Sequence, residues 1–471
     1  MTITKYYISA IFEAKDVAQI AAIVIGCIPS FITGLIIAWP SPSVVKILED
    51  KETYNITPQQ ASYFSVLNAI GPMMLSIFVS RLCDCLGRKR TLLISAVPHA
   101  VCWAMKAFCT DLNLLYVSRA IGGFGDSFMY NSLPMYIGEI STPRVRGVWG
   151  NGLICSLFLG LFSINLIGSY CTVRLTASIC LIFPILFLIT FPFMPESPYF
   201  YAMHERDQDI INSLKTLRGT EDVMEEFKSL KLDVQRQMSE PGTWKDLLTI
   251  ESNRRAILAG VFLRVSQNFC GLLAFPVYAQ YIFEHAGNTI NPKISAIVYT
   301  GLSILCYIIA ANFSDRLGRR NSFIVSMCLT SIPLVMEGLY FLVKEHFPII
   351  NVRYLQFFPL LGMIIFIIIA SMGVGLVPTL MLGELFSASV KVKCLSIVTT
   401  FFSLSYFIAN NLFYYVSHYV GLFGPFFIFA ISNIISAILA TYIIPETKGK
   451  TLEEIQQQLK KKKNANDDSE C

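Results

Sequence analysis

The sequence predicts an all-α membrane protein of twelve transmembrane helices in two pseudo-symmetric six-helix bundles. Three observations predict it. The 471 residues are 54% hydrophobic and only 15% charged, where a soluble chain of this length carries about a quarter charged residues. Apolar runs long enough to cross a bilayer recur along the whole chain. The two halves also repeat short polar motifs in the same order, the signature of an internally duplicated architecture.

A hydrocarbon core of about 30 Å takes roughly 20 apolar residues per helix, and lipid offers no partner to open backbone, so each run is expected to be helical. The spans fall at about 18–39, 61–82, 91–110, 112–138, 148–168 and 175–195, then 256–283, 293–314, 321–343, 354–383, 395–417 and 421–444. The first run begins late, is long and lacks a small-residue cleavage pattern, so it reads as a span and not as a cleaved signal. The expected organisation is a cytosolic N-terminus (1–17), a first bundle (18–195), a linker (196–253), a second bundle (254–444) and a cytosolic tail (445–471). In the linker, Glu221, Asp222, Glu225, Glu226, Lys228 and Lys231 stand at helical spacings and predict short amphipathic helices. The tail, with Lys460 to Lys463, reads as disordered.

With the N-terminus cytosolic, inner segments and inner span ends hold 28 of the 37 Lys and Arg residues and outer loops hold 6. This asymmetry predicts both termini and the linker in the cytosol. Asn55-Ile56-Thr57 then falls in an outer loop as a glycosylation sequon, with Pro58 directly after it.

The net charge of +5 is no argument for a polyanionic partner, because the basic residues serve orientation, and nucleic-acid binding is excluded. The 13 cysteines are scattered singly without ligand spacing and read as packing residues. No His or Cys cluster with a carboxylate occupies a span, which argues against an enzyme, a metal or a cofactor.

Three motif pairs define the repeat. Asp84-Cys85-Leu86-Gly87-Arg88-Lys89-Arg90 follows span 2 and Asp315-Arg316-Leu317-Gly318-Arg319-Arg320 follows span 8. Gly138-Glu139 precedes Arg146 as Gly383-Glu384 precedes Lys391. Span 6 ends in Pro195-Glu196-Ser197-Pro198 and span 12 in Pro445-Glu446-Thr447-Lys448-Gly449. Over nearly its whole length the chain resembles the sugar porter family of the major facilitator superfamily, and most closely its insect trehalose-facilitator branch. The resemblance implies the major facilitator fold and a carrier that alternates access around a central site.

The residues support this on their own terms. Gly87 and Gly318 permit tight turns between helices, and Asp84 and Asp315 can pair with Arg or Lys from the neighbouring loops, with Arg88 and Arg319 in the same ionic set. Glu139 with Arg144 and Arg146, and Glu384 with Lys391 and Lys393, are expected to complete a set of inner ionic gates. Lys391 stands where the family usually has Arg and lacks the bidentate fork. The resemblance also assigns Arg119, within span 4, to that inner network. Gly122, Gly123 and Gly125 read as close helix contacts.

A sugar site needs side-chain amides and hydroxyls. By resemblance these are Gln267, Asn268, Ser303 and Thr379, with Phe402 as a wall. Leu273, Ile154, Thr379 and Phe402 replace the family's usual site residues, so the cavity is expected to be less polar than in a glucose transporter. Gly373, Gly375 and Pro378 in span 10 predict a hinge. Tyr278 reads equally as outer gate or packing aromatic. Ile32-Thr33-Gly34 occupies the region where symporters of this family place an Asp, which favours facilitated diffusion of a hexose or trehalose by a monomer in the plasma membrane. The alternatives are a proton-coupled symporter, with Asp126 and Glu337 as intramembrane acids and His99 and Lys106 as candidate partners of Asp126, and a non-transporting sugar sensor.

Overall fold

The computed structural model describes residues 16–238, 242–287, 291–347, 356–386, 390–448 and 454–455. Among them, eleven helices are long and apolar enough to cross a membrane. They are α1 (Val17–Glu49), α2 (Pro58–Leu86), α3 (Arg88–Phe108), α5 (Gly152–Tyr170), α6 (Val173–Phe193), α7 (Glu251–Val277), α8 (Pro292–Ala310), α9 (Arg319–His346), α10 (Phe358–Leu385), α11 (Lys391–Tyr419) and α12 (Phe423–Ile443). The remaining predicted span is α4 (Leu112–Ile140), whose 29 residues include Arg119 and Asp126, both fully buried. It lacks the apolar composition because it is a central helix whose polar groups face other helices and not lipid.

Several spans are composite, for reasons legible in their residues. α1 is interrupted at Cys27 and Trp39, each followed by a segment with Pro in its first turn. α2 opens with a capping box, in which Thr57 Oγ1 accepts from Gln60 N–H (3.3 Å) and Gln60 Oε1 accepts from Thr57 N–H (2.9 Å). α7 breaks after Phe269 at Gly271, whose φ of +87° lies in the glycine-favouring region, and continues as Ala274–Val277 and Ala279–Ala286. In α10 the turn Ser371–Gly375 is a π-helix, and a new segment starts with Pro378 in its first turn, at the place where the glycines and proline predict a bend.

Close crossings set the position of α4. A Cβ on Gly71 would strike the Gly123 carbonyl, and one on Gly123 would strike the Asn68 carbonyl, so α2 and α4 touch backbone to backbone. The His99 ring of α3 lies where a Cβ on Gly125 would be. The predicted linker helices are present as Pro198–Met203, Asp207–Arg218, Met224–Met238 and Asp246–Thr249. Arg218 fastens the second of them to α4 by donating to the Ile140 carbonyl (2.9 Å). The Lys460 to Lys463 run lies outside the described residues.

Candidate functional site

The motif repeat becomes a pair of matching clasps at one end of the bundles. Gly87 (φ +95°) and Gly318 (φ +87°) make the turns into α3 and α9. In the first half, Arg88 Nε lies 3.0 Å from Glu139 Oε2. The Ser197 hydroxyl also donates to Glu139. The Glu196 carboxylate accepts the Lys89 N–H at 2.9 Å and caps the first turn of α3. In the second half, Arg319 Nε is 3.5 Å from Glu384 Oε1, and Thr447 Oγ1 donates to Glu384 Oε2 at 2.6 Å. Glu446 accepts the N–H groups of Arg319 (2.9 Å) and Arg320 (3.2 Å). All three motif pairs of the sequence therefore meet in space. Glu196 and Glu446, noted in the sequence only as motif letters, are helix caps, where a carboxylate meets the exposed N–H groups and the positive end of the helix dipole. Burial pushes the Glu196 carboxyl above its ordinary range, against the opposing pull of the Lys89 and Ser197 backbone N–H groups. Glu196→Ala is expected to lower stability by about 1 kcal/mol, the usual loss of a cap, read as a lower thermal midpoint in detergent.

Parts of the expected ionic set are arranged differently. Asp84 stands at 3.9 Å from Arg88, farther than Glu139. Arg146 turns to the carbonyls of Gly138 and Ser141 (3.1 Å for the latter), and Lys391 Nζ reaches the Gly383 carbonyl at 3.4 Å. These cations close the ends of α4 and α10, where helix carbonyls lack partners, instead of pairing with Glu139 and Glu384. Glu139 still acts electrostatically on Lys391 across the two halves. Arg144 is exposed on the short helix Pro143–Trp149 that follows α4. The Asp315 side chain lies outside the described residues.

Arg119 is a correction. It sits near the start of α4, at the opposite end from Glu139, and cannot belong to the clasps. Its Nε donates to the Phe64 carbonyl (2.7 Å), its Nη1 to the Ile36 carbonyl, and its guanidinium lies 5.9 Å from the Trp39 ring centroid. It ties together the broken segments of α1 and α2, whose carbonyls need donors.

Between the halves lies a small cavity lined by Ile37 of α1, Asn68, Ala69 and Pro72 of α2, Tyr130 of α4, Leu273 of α7, and Phe402, Ser403 and Tyr406 of α11. It has room for little more than one water molecule. At one end the halves are joined by Gln280 Nε2 donating to Ser169 Oγ (2.8 Å) and Tyr406 Oη donating to the Ser65 carbonyl (3.3 Å). Toward the clasp end Ser80 Oγ donates to the Val392 carbonyl (3.4 Å), and the Phe158 and Tyr307 rings stack at 4.1 Å. A solute of sugar size enters only if these contacts part.

Of the expected site residues, Phe402 lines the cavity as a wall. Gln267 does not line it; its Nε2 donates to the carbonyls of Val374 and Gly375, both at 3.1 Å, and so stitches α7 to the π-turn of α10. Asn268 donates to the Phe402 carbonyl and to Ser405 Oγ, both at 2.7 Å. Ser303 donates to the Tyr299 carbonyl one turn back (2.9 Å), and Thr379 is half-buried away from the lining. The break in α10 exposes carbonyls, and the Gln267 amide is drawn to them. Tyr278 donates to the Asn410 carbonyl (3.2 Å) and stacks on Phe413 at 4.5 Å.

The N-terminal half contributes more polarity than the sequence suggested. Asp126 accepts from Thr33 Oγ1 (2.6 Å) and from Asn68 Nδ2 (2.6 Å), with His99 Nε2 at 3.0 Å. Four helices are joined at this carboxylate, and Asn68, which donates to it, also lines the cavity. Lys106 is not its partner and instead lies 4.6 and 4.4 Å from the ring centroids of Trp39 and Trp103. Asn68, Tyr130 and Tyr406 were not singled out in the sequence; a lone Asn inside an apolar run was the available signal for the first.

Known proteins agree with this architecture. The facilitated trehalose transporter Tret1 of Culex quinquefasciatus is 29% identical over 449 residues, covering 94% of this chain and 86% of that one. Tret1 of Polypedilum vanderplanki is 30% identical over 448 residues, with 94% and 88% covered. Against Tret1 of Aedes aegypti the chain spans only 55% of the relative's length. Among solved structures, the proton:xylose symporter XylE bound to 6-bromo-6-deoxy-D-glucose superposes with a TM-score of 0.77 at 19% identity, covering 94% of this chain and 100% of that one. A partially occluded inward-open form of XylE from E. coli also gives 0.77, at 17% identity, with 92% and 99% covered. With the "Sugar (and other) transporter" family profile matching residues 14–459, the chain belongs to that transporter family and has the major facilitator fold.

Proposed function

We propose that the chain is a facilitative carrier of a hexose or trehalose, working by alternating access in the plasma membrane with both termini cytosolic. The observation that carries this reading is the small cavity between the repeated halves, flanked by inter-half contacts toward each end and too small for a sugar as it stands. A carrier with such a centre works by parting one set of contacts at a time, and the matching clasps are the elements whose state differs between the two postures. In this reading the π-turn with Gly373, Gly375 and Pro378 is the hinge of α10, and the domain boundaries follow the linker at 196–253. Asn55, exposed with φ +39° between α1 and α2, is the glycosylation site on the outer face.

A second reading, proton-coupled uptake, is favoured by one observation, the buried His99 and Asp126 pair behind the cavity wall. Uptake of labelled glucose, trehalose and polyols into proteoliposomes, with and without a pH gradient, tests both. Equilibration of a sugar with no response to the gradient is expected. Uphill accumulation driven by protons would replace the facilitator by the symporter, and binding without flux would leave a sensor.

A further inference from the structure

We propose that the carrier prefers sugars bearing a carboxylate, such as a hexuronate, over the neutral sugar of the same ring, and that Arg264 is the residue that selects them. This rests on the sugar-carrier reading above and narrows its substrate class.

Arg264 lies on α7, three residues before Gln267, and is half-buried within the membrane-spanning body. Its guanidinium carbon sits 5.2 Å from the centroid of the Phe402 ring, a wall of the central cavity. One nitrogen is committed, since Nη1 donates to Gln267 Oε1 at 2.8 Å. The other two, Nε and Nη2, make no hydrogen bond among the described residues, yet they are not fully enclosed by protein as Arg119 Nη2 is. Nε and Nη2 form one edge of the guanidinium, the fork that grips the two oxygens of a carboxylate side by side.

No acid neutralises this cation among the described residues. Among the described residues, the titratable group beside it is Tyr130, itself part of the cavity wall. The neighbouring intramembrane charges are already answered: Asp126 accepts from Thr33 and Asn68, faces His99, and lies in range of Arg119. Arg119 in turn is spent on backbone carbonyls. Lys106 is enclosed by the Trp39 and Trp103 rings, away from the cavity lining. Tyr406, on the α11 side, feels Asp126 and Arg119 but not Arg264. Among the described residues, one cation without an acid partner therefore remains against the Phe402 wall of the central cavity, just behind its lining, with its bidentate edge open.

An intramembrane charge is retained at a cost unless something compensates it. The Phe402 ring compensates part of it and leaves the net charge in place. A neutral sugar offers hydroxyls, which an amide would serve as well; a sugar carboxylate offers the matching charge and geometry together.

The test uses the wild-type carrier in proteoliposomes and labelled glucose or trehalose, whichever it takes up in the assay proposed above. D-glucuronate is expected to compete with that uptake at least tenfold more strongly than its uncharged amide, D-glucuronamide. Labelled glucuronate uptake is expected to accelerate under an inside-positive potential, because a negative charge crosses with each sugar. In Arg264→Gln the ratio of the two inhibition constants is expected to fall to about one, while Arg264→Lys retains part of it. Equal competition by acid and amide in the wild type, or neutral-sugar uptake untouched by glucuronate, would overturn this inference and leave the carrier reading standing. Absence of any sugar uptake would remove both.

Discussion

Asp126→Leu is expected to destabilise the protein by about 3–5 kcal/mol, the range for removing one partner from a buried polar cluster. The carboxylate is fully buried and is the shared acceptor for α1, α2 and α3. Leucine has similar bulk and returns none of the acceptor capacity. It leaves the Thr33 hydroxyl, the Asn68 amide and the His99 ring without that partner, at about 1–3 kcal/mol for each group that finds no substitute. The side chains cannot swing out to water, because α4 packs against α2 backbone to backbone at Gly71 and Gly123. A fall in thermal midpoint on the order of 10 °C in detergent is the expected reading. Asp126→Asn keeps one acceptor oxygen and is expected to recover part of the loss. An unchanged midpoint for the leucine variant would mean that the carboxylate does not hold these helices together.

Gln267→Ala is expected to cut initial uptake at least tenfold with surface expression intact. Tenfold in rate corresponds to about 1.4 kcal/mol, the scale of one or two net hydrogen bonds. The residue makes two to α10, at the carbonyls of Val374 and Gly375, and receives one from Arg264. The effect is therefore expected through the posture of the α10 break, and not through a lost sugar contact alone. Gln267→Glu is the sharper version, since it removes the donor and sets a carboxylate against two carbonyl oxygens. Rates per incorporated protein separate the two origins: a lost sugar contact raises the half-saturating concentration, whereas a disturbed break lowers the maximal rate. Full activity in the alanine variant would show that Ser326, whose hydroxyl accepts the Val374 N–H at 3.2 Å and donates to the Ile369 carbonyl at 2.9 Å, secures the break by itself.

The spans and the clasps were legible because they rest on local signals. Apolar length identifies a membrane helix with little ambiguity, and Gly87 and Gly318 announce turns that few other residues make at low strain. α4 shows the limit of the first signal. It carries Arg119 and Asp126, falls short on apolar composition, and is a span because its neighbours cover it. The site was harder to read because a helix that is apolar all round gives no periodicity to fix its rotation. Gln267 and Asn268 were expected to face a solute; Gln267 is spent on carbonyls of the α10 π-turn, and Asn268 on the Phe402 carbonyl and Ser405 hydroxyl of α11. Ser303 folds back onto its own helix. Asn68, Tyr130 and Tyr406 face the cavity from positions that only tertiary packing defines.

Glu446 and Thr447 follow the last membrane helix and would ordinarily be counted as the beginning of a dispensable tail. Their bonds to Arg319, Arg320 and Glu384 make them part of the folded body. Anyone shortening the chain for crystallisation, or attaching a fluorescent reporter, should therefore cut or join downstream of Thr447. An earlier junction would unfasten the end of α9 and leave the second half without the counterpart of what Glu196 and Ser197 supply to the first.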